Sequence, residues 1–325
     1  MAAHIDPPAL SFHSRRLGRT VTLTPRDLAV LDHLDCFHRL DFEQLSLLLD
    51  IAPTNRRRFR RRLHTLGEAR FIHVFYGGLG RPPIFALLDR GMEYHQRAQA
   101  AAVGEALPPD WEPSRITRPR HQEAELIRRH DIGVSNLGMI QERWTRQHPT
   151  RFFLRHRELF RLGTTAAIRS SLSWPTTVSW QGQTLTFNVK PDLFTGIGFH
   201  DRPHGRNVRY FAAEIDCGTE TRRPTRLDAR GQSLFRKLLA YQATIDHDLL
   251  TGYLGIDHFT VLFVLETERR RESILALADE VLESQAAQER MLFGLRPPCP
   301  TNGDHADFSA LPWFDGRGKE ACVRL

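Results

Sequence analysis

FNVKPDLF at residues 187–194 and VRYFAAEID at residues 208–216 decide how the larger part of this chain folds. Both stretches are apolar and aromatic enough to predict strands, with residues 196–207 as the loop between them. Side chains alternate along a strand, so Glu214 and Asp216 are expected to share one face. By the same alternation, Lys190 and Asp192 are expected to share a face of the first strand.

If these two strands pair, Asp192, Glu214 and Asp216 crowd one place. Like charges at such close range are unfavourable unless a cation lies between them. Mg²⁺, or Mn²⁺ in its place, takes oxygen ligands from a few carboxylates and keeps its other positions for water and phosphate. Such a metal suits phosphodiester hydrolysis. The alternative is a solvated turn with ordinary surface acids, but the apolar flanking runs favour a metal site held by all three carboxylates.

The amino-acid composition indicates which classes of protein this chain can belong to. The chain has 325 residues, of which 41% are hydrophobic and 26% are charged, as in an ordinary globular protein of two domains. The net charge of +7 favours a polyanionic partner, either nucleic acid or an anionic membrane surface. The amino-terminal residues contain no apolar signal core, and the longest apolar run is too short to span a bilayer. We therefore expect a cytoplasmic protein without a membrane anchor.

The four cysteines are far apart in the sequence and include no C-x-x-C pair. This spacing indicates neither a zinc site nor a disulfide framework, so reduced thiols in a cytosol are expected. The cysteines are Cys36, Cys217, Cys299 and Cys322.

The first domain is predicted over residues 21–101, after a disordered basic arm at residues 1–20. Thr24 followed by Pro25 and Asp27 is typical of a helix start, with a second helix from Asp41 and a third from about 53 to 66. Strands are predicted at 71–76 and 84–88 around a turn, and a further helix at 89–101. Three helices followed by a β-hairpin indicate a winged helix-turn-helix, with Arg81 at the wing tip.

The third predicted helix carries six arginines in seven positions and no acid among them. A charge run is commonly a solvated face, but acids are then normally interspersed. Arginine suits phosphate and base-edge contacts, so DNA is favoured over the protein partners that some winged helices bind. The predicted DNA-binding residues of this domain are Thr54, Asn55, Arg56, Arg57, Arg58, Arg60, Arg61, Arg62 and Arg81.

A proline-rich linker is predicted at residues 102–120, followed by an α/β (α+β overall) domain at 121–298 and a tail at 299–325. The order of elements predicts a mixed sheet flanked by helices. Helices are predicted at 120–146, 227–246 and 272–288, and strands at 152–160, 187–194, 208–216, 259–265 and, at the sheet edge, 291–293.

The chain contains, in this order, a predicted winged helix, His130, Pro191-Asp192, the run EIDCGTE at 214–220, Lys237 and Tyr241. This order resembles the replication-relaxation family of plasmids and integrative elements. That family is similar to the MOBC class of mobilisation relaxases, and both resemble PD-(D/E)xK nucleases. The resemblance covers roughly residues 22–295, and EIDCGTE is its most specific part. It implies a winged helix followed by a PD-(D/E)xK-like mixed-sheet domain.

The resemblance implies Asp192 as the first metal ligand and Glu214 as the second. The lysine of the superfamily is expected at position 216, where this chain has Asp216. Lys237 on the following helix is one replacement and Lys190 is its rival, although Lys237 is equally compatible with a helix-surface residue. His130 is a further catalytic candidate, with a structural hydrogen-bonding role as the alternative. Glu220, Arg222 and Arg223 are expected to border the site, the two arginines as phosphate contacts.

Three functions stay open on the sequence alone. The favoured one is a Mg²⁺- or Mn²⁺-dependent DNA endonuclease or nickase, relaxase-like, that acts by water attack at the origin of a plasmid or mobile element. The second is a catalytically inactive DNA-binding accessory protein of replication or mobilisation, and the third is a winged-helix transcriptional regulator. The expected partners are double-stranded origin-like DNA and other mobilisation or replication proteins, with a homodimer left open.

Overall fold

The chain divides into two compact units in a computed structural model. The first comprises residues 1–135 with 299–304, and the second comprises residues 136–298 with 305–325. The division falls inside a helix, whereas the sequence predicted a boundary at residue 121. The described residues are 11–14, 18–76, 82–102, 124–160, 162, 172–203, 205–218, 220–223, 233–299 and 307–323. Arg81 and nearly all of the predicted linker therefore lie outside the described residues.

The first unit is a set of helices around a three-stranded antiparallel sheet in which β5 is central. Its elements are β1 Ser11–Ser14, β2 Arg19–Thr22, α1 Pro25–Phe37, β3 Arg39–Asp41, α2 Phe42–Leu48, a 3₁₀ turn Pro53–Asn55, α3 Arg56–Glu68, β4 Ile72–Phe75, β5 Ile84–Leu87, α4 Asp89–Ala102 and the start of α5 Ala124–Arg146. Strands β1 and β2 pair as a hairpin, so the disordered arm predicted for residues 1–20 is wrong for residues 11–14, 19 and 20.

Helices α1 and α2 begin where the sequence predicts, because each starts with a capping box. Thr24 Oγ1 accepts a hydrogen bond from Asp27 N at 3.3 Å, and Thr24 N donates to Asp27 Oδ2 at 2.7 Å. Asp41 and Gln44 make the same reciprocal pair, with both distances 2.8 Å. These caps fix the direction from which the chain enters each helix.

The second unit is built on a seven-stranded mixed sheet in the order β14-β13-β12-β11-β10-β9-β6. Strands β10, β11 and β12 are parallel to one another, and the other neighbours are antiparallel. Its elements are the end of α5, β6 Arg151–Leu154, α6 His156–Phe160, β7 Trp174–Trp180, β8 Gln183–Val189, β9 Leu193–Phe199, β10 Val208–Asp216, α7 Leu234–Asp246, α8 Leu249–Leu254, β11 Phe259–Leu265, α9 Glu268–Val281, α10 Gln285–Arg290, β12 Met291–Leu295, a 3₁₀ turn Phe308–Ala310, β13 Trp313–Phe314 and β14 Glu320–Ala321. The mixed sheet predicted from the sequence is confirmed.

The stretch 187–194 is not one strand, contrary to the sequence prediction. Residues up to Val189 end β8, which pairs with β7 in a separate hairpin, and β9 begins only at Leu193. Pro191 has no N–H to give to a ladder, and the chain changes from one sheet to the other across it. Lys190 and Asp192 therefore lie in a connection and share no strand face. Strand β9 continues to Phe199, so the loop predicted at 196–207 is shorter than expected.

Other predicted boundaries differ because side chains start new helices. The strand predicted at 152–160 ends at Leu154, and Glu158 Oε2 accepts a hydrogen bond from Arg155 N at 2.7 Å to open α6. The helix predicted at 272–288 is two helices, because Ser284 caps α10. Helix α7 begins after its cap Ser233, later than the predicted residue 227. Strand β12 is not an edge strand, because β13 pairs with it.

The core of the second unit lies between β11 and the helices on its faces. Phe263 of β11 is fully buried, with ring centroids 5.0 Å from Phe293 and 6.1 Å from Tyr241. Leu234 and Leu238 of α7 are buried in the same cluster. This packing fixes α7, which carries Lys237 and Tyr241, against the sheet. In the part of the chain that the structure describes, no helix has the length and apolarity needed to cross a membrane.

Candidate functional site

The predicted acids gather in the second unit at the carboxyl end of β10, beside the end of the parallel strand β11. Glu214 and Asp216 are close to the end of β10 and pair in register with Phe263 and Leu265 of β11. In sheets with parallel strands, this edge is where ligands bind, because the connections after the strands open a crevice there. The strand face shared by Glu214 and Asp216 is therefore presented at a position suited to chemistry.

Asp192 is tied to β10 by two hydrogen bonds. Its backbone N donates to the carbonyl oxygen of Ala213 at 3.0 Å, and its carboxylate Oδ2 accepts from Ile215 N at 2.8 Å. These contacts hold the Asp192 carboxylate beside the residues that flank Glu214. Asp192 and Glu214 are thus brought together as predicted, although Asp192 precedes its strand rather than lying within it.

Glu214 is almost fully buried, with 2% of its surface exposed, and is contacted by two residues of α7. Lys237 Nζ lies 2.7 Å from Glu214 Oε2 and 2.6 Å from Glu220 Oε1. Tyr241 donates its hydroxyl hydrogen to Glu214 Oε1 at 2.5 Å. Lys237 and Tyr241 are four residues apart and therefore lie on the same face of the helix. The lysine bridges two carboxylates, one buried in the sheet and one after it.

The electrostatics of this cluster follow from burial and crowding. Burial raises the pKa of Glu214 to about 7, and the nearby charge of Asp192 adds to the shift while Lys237 opposes it. Burial lowers the pKa of Lys237, but the carboxylates of Glu214, Asp192 and Glu220 outweigh that effect, so the pKa of Lys237 is raised. Lys237 therefore keeps its proton near neutral pH, and Glu214 is poised to gain or lose one.

We expect the raised pKa of Glu214 to make the free energy of unfolding depend on pH. Because the pKa of folded Glu214, about 7, is above its ordinary value of 4.5, the folded state binds this proton more tightly. Its stabilising effect is present below pH 4.5 and is lost as pH rises through 7. Relative to Glu214→Gln, the wild type should lose about 2 to 3 kcal/mol of unfolding free energy between about pH 5 and pH 8. Urea unfolding in EDTA measures this, and parallel pH profiles would contradict it.

Asp216 has a different partner from the one the sequence suggested. Its carboxylate Oδ2 accepts a hydrogen bond from Arg270 Nε at 2.6 Å, and Oδ1 accepts from Gly218 N at 3.0 Å. Arg270 also donates from Nη2 to the carbonyl oxygen of Glu220 at 2.6 Å. Asp216 and Arg270 together brace the connection after β10, which carries Glu220.

The metal site expected from the sequence is reduced to two carboxylates. Among the described residues, no group of three or more His, Cys, Asp or Glu side chains is placed to hold a metal ion. Glu214 Oε2 is buried and, within the described chain, accepts no hydrogen bond, although Lys237 forms an ion pair with it. Mg²⁺ is commonly held by one or two carboxylates together with substrate phosphate and water. Asp192 and Glu214 fit that requirement.

The remaining predicted residues of this site are not among the contacts of Asp192 and Glu214 described above. Lys190 is exposed in the connection before β9. His130 belongs to the first unit, where its Nδ1 lies 3.4 Å from Asp131 Oδ1. Arg222 and Arg223 are exposed after β10, and Arg223 forms an ion pair with Glu280. Sequence reasoning missed Arg270, although a run of three arginines, which begins four residues after the end of the buried strand β11, was a usable signal.

The arginines of α3 in the first unit divide into two groups by their contacts. Arg62 donates from Nε and Nη2 to the carboxylate of the buried Asp27, at 2.9 Å and 2.6 Å. Arg56 and Arg60 cover the ring of Phe42 at 5.2 Å and 4.5 Å, and Arg56 also pairs with Glu43. The second group is exposed, and within the described chain its guanidinium groups make no hydrogen bond or ion pair. This group consists of Arg57, Arg58 and Arg61. Thr54 and Asn55 are exposed just before the helix.

These two groups predict opposite effects on stability. Arg62→Gln should lower the free energy of unfolding by about 2 kcal/mol, because it leaves the buried Asp27 carboxylate short of charged donors. Arg58→Gln removes an exposed guanidinium and should change it by no more than about 0.5 kcal/mol. Urea unfolding followed by circular dichroism compares the two variants. Equal stabilities would show that the Asp27 contact contributes nothing to the first unit.

Comparisons of this chain with protein-family models, curated proteins and solved structures gave no match.

Proposed function

We propose that this protein binds double-stranded DNA through its first unit and cleaves a phosphodiester bond at its second unit with the help of Mg²⁺ or Mn²⁺. The observation that carries the proposal is the meeting of Asp192, Glu214 and Lys237 at one sheet edge, from three separate segments. Two adjacent carboxylates and a protonated lysine are what such hydrolysis requires.

The order of elements in each unit supports this proposal. Helices α1, α2 and α3 followed by the strands β4 and β5 have the order of a winged helix-turn-helix. The second unit contains, in chain order, the end of α5, β6, β9, β10, α7 and β11. Helices and strands of a mixed sheet in this order are what the resemblance to PD-(D/E)xK nucleases implies. On this basis we propose a replication-relaxation protein of a plasmid or mobile element, acting at an origin-like site.

Each residue of the cluster has a distinct proposed task. A divalent ion held by Asp192 and Glu214 would supply activated water and neutralise charge on the leaving oxygen. Lys237 keeps its proton because three carboxylates surround it, so it can donate to a phosphate oxygen. Tyr241 orients Glu214 through its hydroxyl group. To Arg222, which is exposed after β10, we assign a contact with the backbone of the substrate.

A second candidate is a DNA-binding protein that does not cleave. The pairing of Asp216 with Arg270 and of Lys237 with Glu214 and Glu220 favours it, because these contacts neutralise much of the acidic cluster without a metal. Such ion pairs would make the second unit a stable module for interaction with replication or mobilisation proteins.

One experiment separates the two candidates. Supercoiled plasmid from a mobile element is incubated with the wild-type protein in Mg²⁺, in Mn²⁺ or in EDTA, while binding to the same DNA is followed by gel shift. The proposal predicts relaxed or linear DNA with either metal and intact DNA in EDTA. Full binding without cleavage under any metal would leave the non-cleaving candidate.

A further inference from the structure

A cavity of about 970 Å³ lies in the first unit between the amino end of α1 and the side of α3. Ligand-binding cavities commonly have volumes up to about 1,000 Å³. Its charged lining residues are four arginines and one aspartate: Arg26, Arg58, Arg61, Arg62 and Asp27. Arg26 belongs to the first turn of α1, and the other three arginines belong to α3.

The one acid in this cavity is neutralised within the protein. Asp27 is 1% exposed and accepts two hydrogen bonds from Arg62, besides hydrogen bonds of 2.7 Å from both Thr24 N and Thr24 Oγ1. Arg62 therefore neutralises the charge of Asp27, and the Asp27 carboxylate also accepts the hydrogen bonds that cap α1. In contrast, Arg26, Arg58 and Arg61 are exposed and make no ion pair within the described residues.

Three exposed guanidinium groups without an acidic counterpart can donate to an anion from outside the chain. Arg57 does not line the cavity and lies on the outward side of α3, away from the buried Phe59. Arg61, four residues after Arg57, shares that side of α3 and reaches the cavity lining, so Arg57 lies just beyond the lining residues Arg58 and Arg61.

We propose that this cavity seats the sugar–phosphate backbone of DNA, with Arg26 and Arg58 binding its phosphates while Arg57 reaches the base edges. The inference rests on the DNA binding proposed for the first unit and adds which residues position the duplex and which read it. Phosphate contacts fix the register of a protein on DNA without sequence information, whereas base-edge contacts give specificity. The two kinds of contact are therefore separable by experiment.

The test compares the double variant Arg26→Gln/Arg58→Gln with Arg57→Gln. Binding to a random-sequence duplex is measured by fluorescence anisotropy between about 50 and 200 mM KCl, and preferred sequences are selected from a random pool. The double variant should make the slope of log affinity against log salt shallower by roughly 2 and leave the selected sequence unchanged. Arg57→Gln should change the selected sequence.

Two controls make the result specific. Arg97→Gln/Arg269→Gln removes the same charge at exposed positions outside the cavity and should leave the salt slope unchanged. Arg26→Lys/Arg58→Lys keeps the charge and should keep the slope.

Each adverse outcome has its own meaning. An unchanged slope in the double glutamine variant, or a change in its selected sequence, overturns the inference while DNA binding stands. If the wild-type protein itself binds no duplex, both the inference and the DNA-binding part of the proposed function fail.

Discussion

Asp192→Asn and Glu214→Gln are each expected to slow metal-dependent DNA cleavage by at least about 100-fold. Both changes keep the size of the side chain and remove one of the two charges that would hold the metal. The asparagine oxygen can still accept the hydrogen bond from Ile215 N that the Asp192 carboxylate accepts at 2.8 Å. We therefore expect the fold to persist. The measurement is the rate of plasmid relaxation in Mg²⁺, together with Mn²⁺ binding by titration calorimetry.

Matched controls come from helix α9 of the same unit. Glu272→Gln and Asp279→Asn make the same chemical changes at exposed positions and should cleave at the wild-type rate. Gel shift on the same DNA should show unchanged binding for all four variants. Cleavage that survives both Asp192→Asn and Glu214→Gln would place the reaction at another site.

Removing Arg57, Arg58 and Arg61 together is expected to weaken DNA binding by roughly 100-fold at moderate salt. These residues are the exposed arginines of α3 whose guanidinium groups have no partner within the described chain. A phosphate that the variant does not neutralise keeps its counterions, so fewer counterions are released on binding. The triple glutamine variant should therefore show a shallower salt dependence, measured by anisotropy with a labelled duplex.

The control for this variant removes an equal charge elsewhere. Arg97, Arg269 and Arg317 are exposed and lie outside α3, so their triple glutamine variant should bind nearly as well as wild type. If both triple variants lose affinity equally, net charge governs binding and α3 has no special part. If neither does, the first unit does not bind DNA through this helix.

The helix starts of the first unit were predictable because the residues that cap each helix are close together in the sequence. Thr24 and Asp27 form a capping box over a single turn, with Pro25 at the first helical position, so no distant contact was needed to place α1. What the sequence did not show was which arginines of α3 are exposed. Arg62 reaches Asp27, 35 residues away, and that contact depends on tertiary packing.

The acidic cluster was predictable in part. Strand β10 has the predicted bounds, and Glu214 and Asp216 share its face because alternation along a strand is local. The partner of Asp216 was not predictable, because Arg270 arrives from a helix 54 residues later. The break at Pro191 was misread, since an apolar run looks the same whether it forms one strand or the ends of two.

The hairpin β7–β8 was missed for a related reason. It packs by Trp174, which is fully buried and donates its indole hydrogen to Thr244 Oγ1 of α7 at 3.1 Å. Its other side is rich in exposed threonine and serine, and its alternation was present in the sequence, but residues 187–189 were assigned to the strand of Asp192. The hairpin belongs to neither the mixed sheet nor the acidic cluster. Because its second strand ends at Val189, Asp192 lies in the connection before β9 instead of inside a strand.

The most direct test of the central claim is a crystal structure of the protein with Mn²⁺, in which the anomalous signal locates the ion. We expect one ion about 2.1 Å from an oxygen of Asp192 and of Glu214, with Lys237 still bound to Glu220. This expectation would be contradicted by a map without an ion at this edge of the sheet, at a Mn²⁺ concentration that supports DNA cleavage.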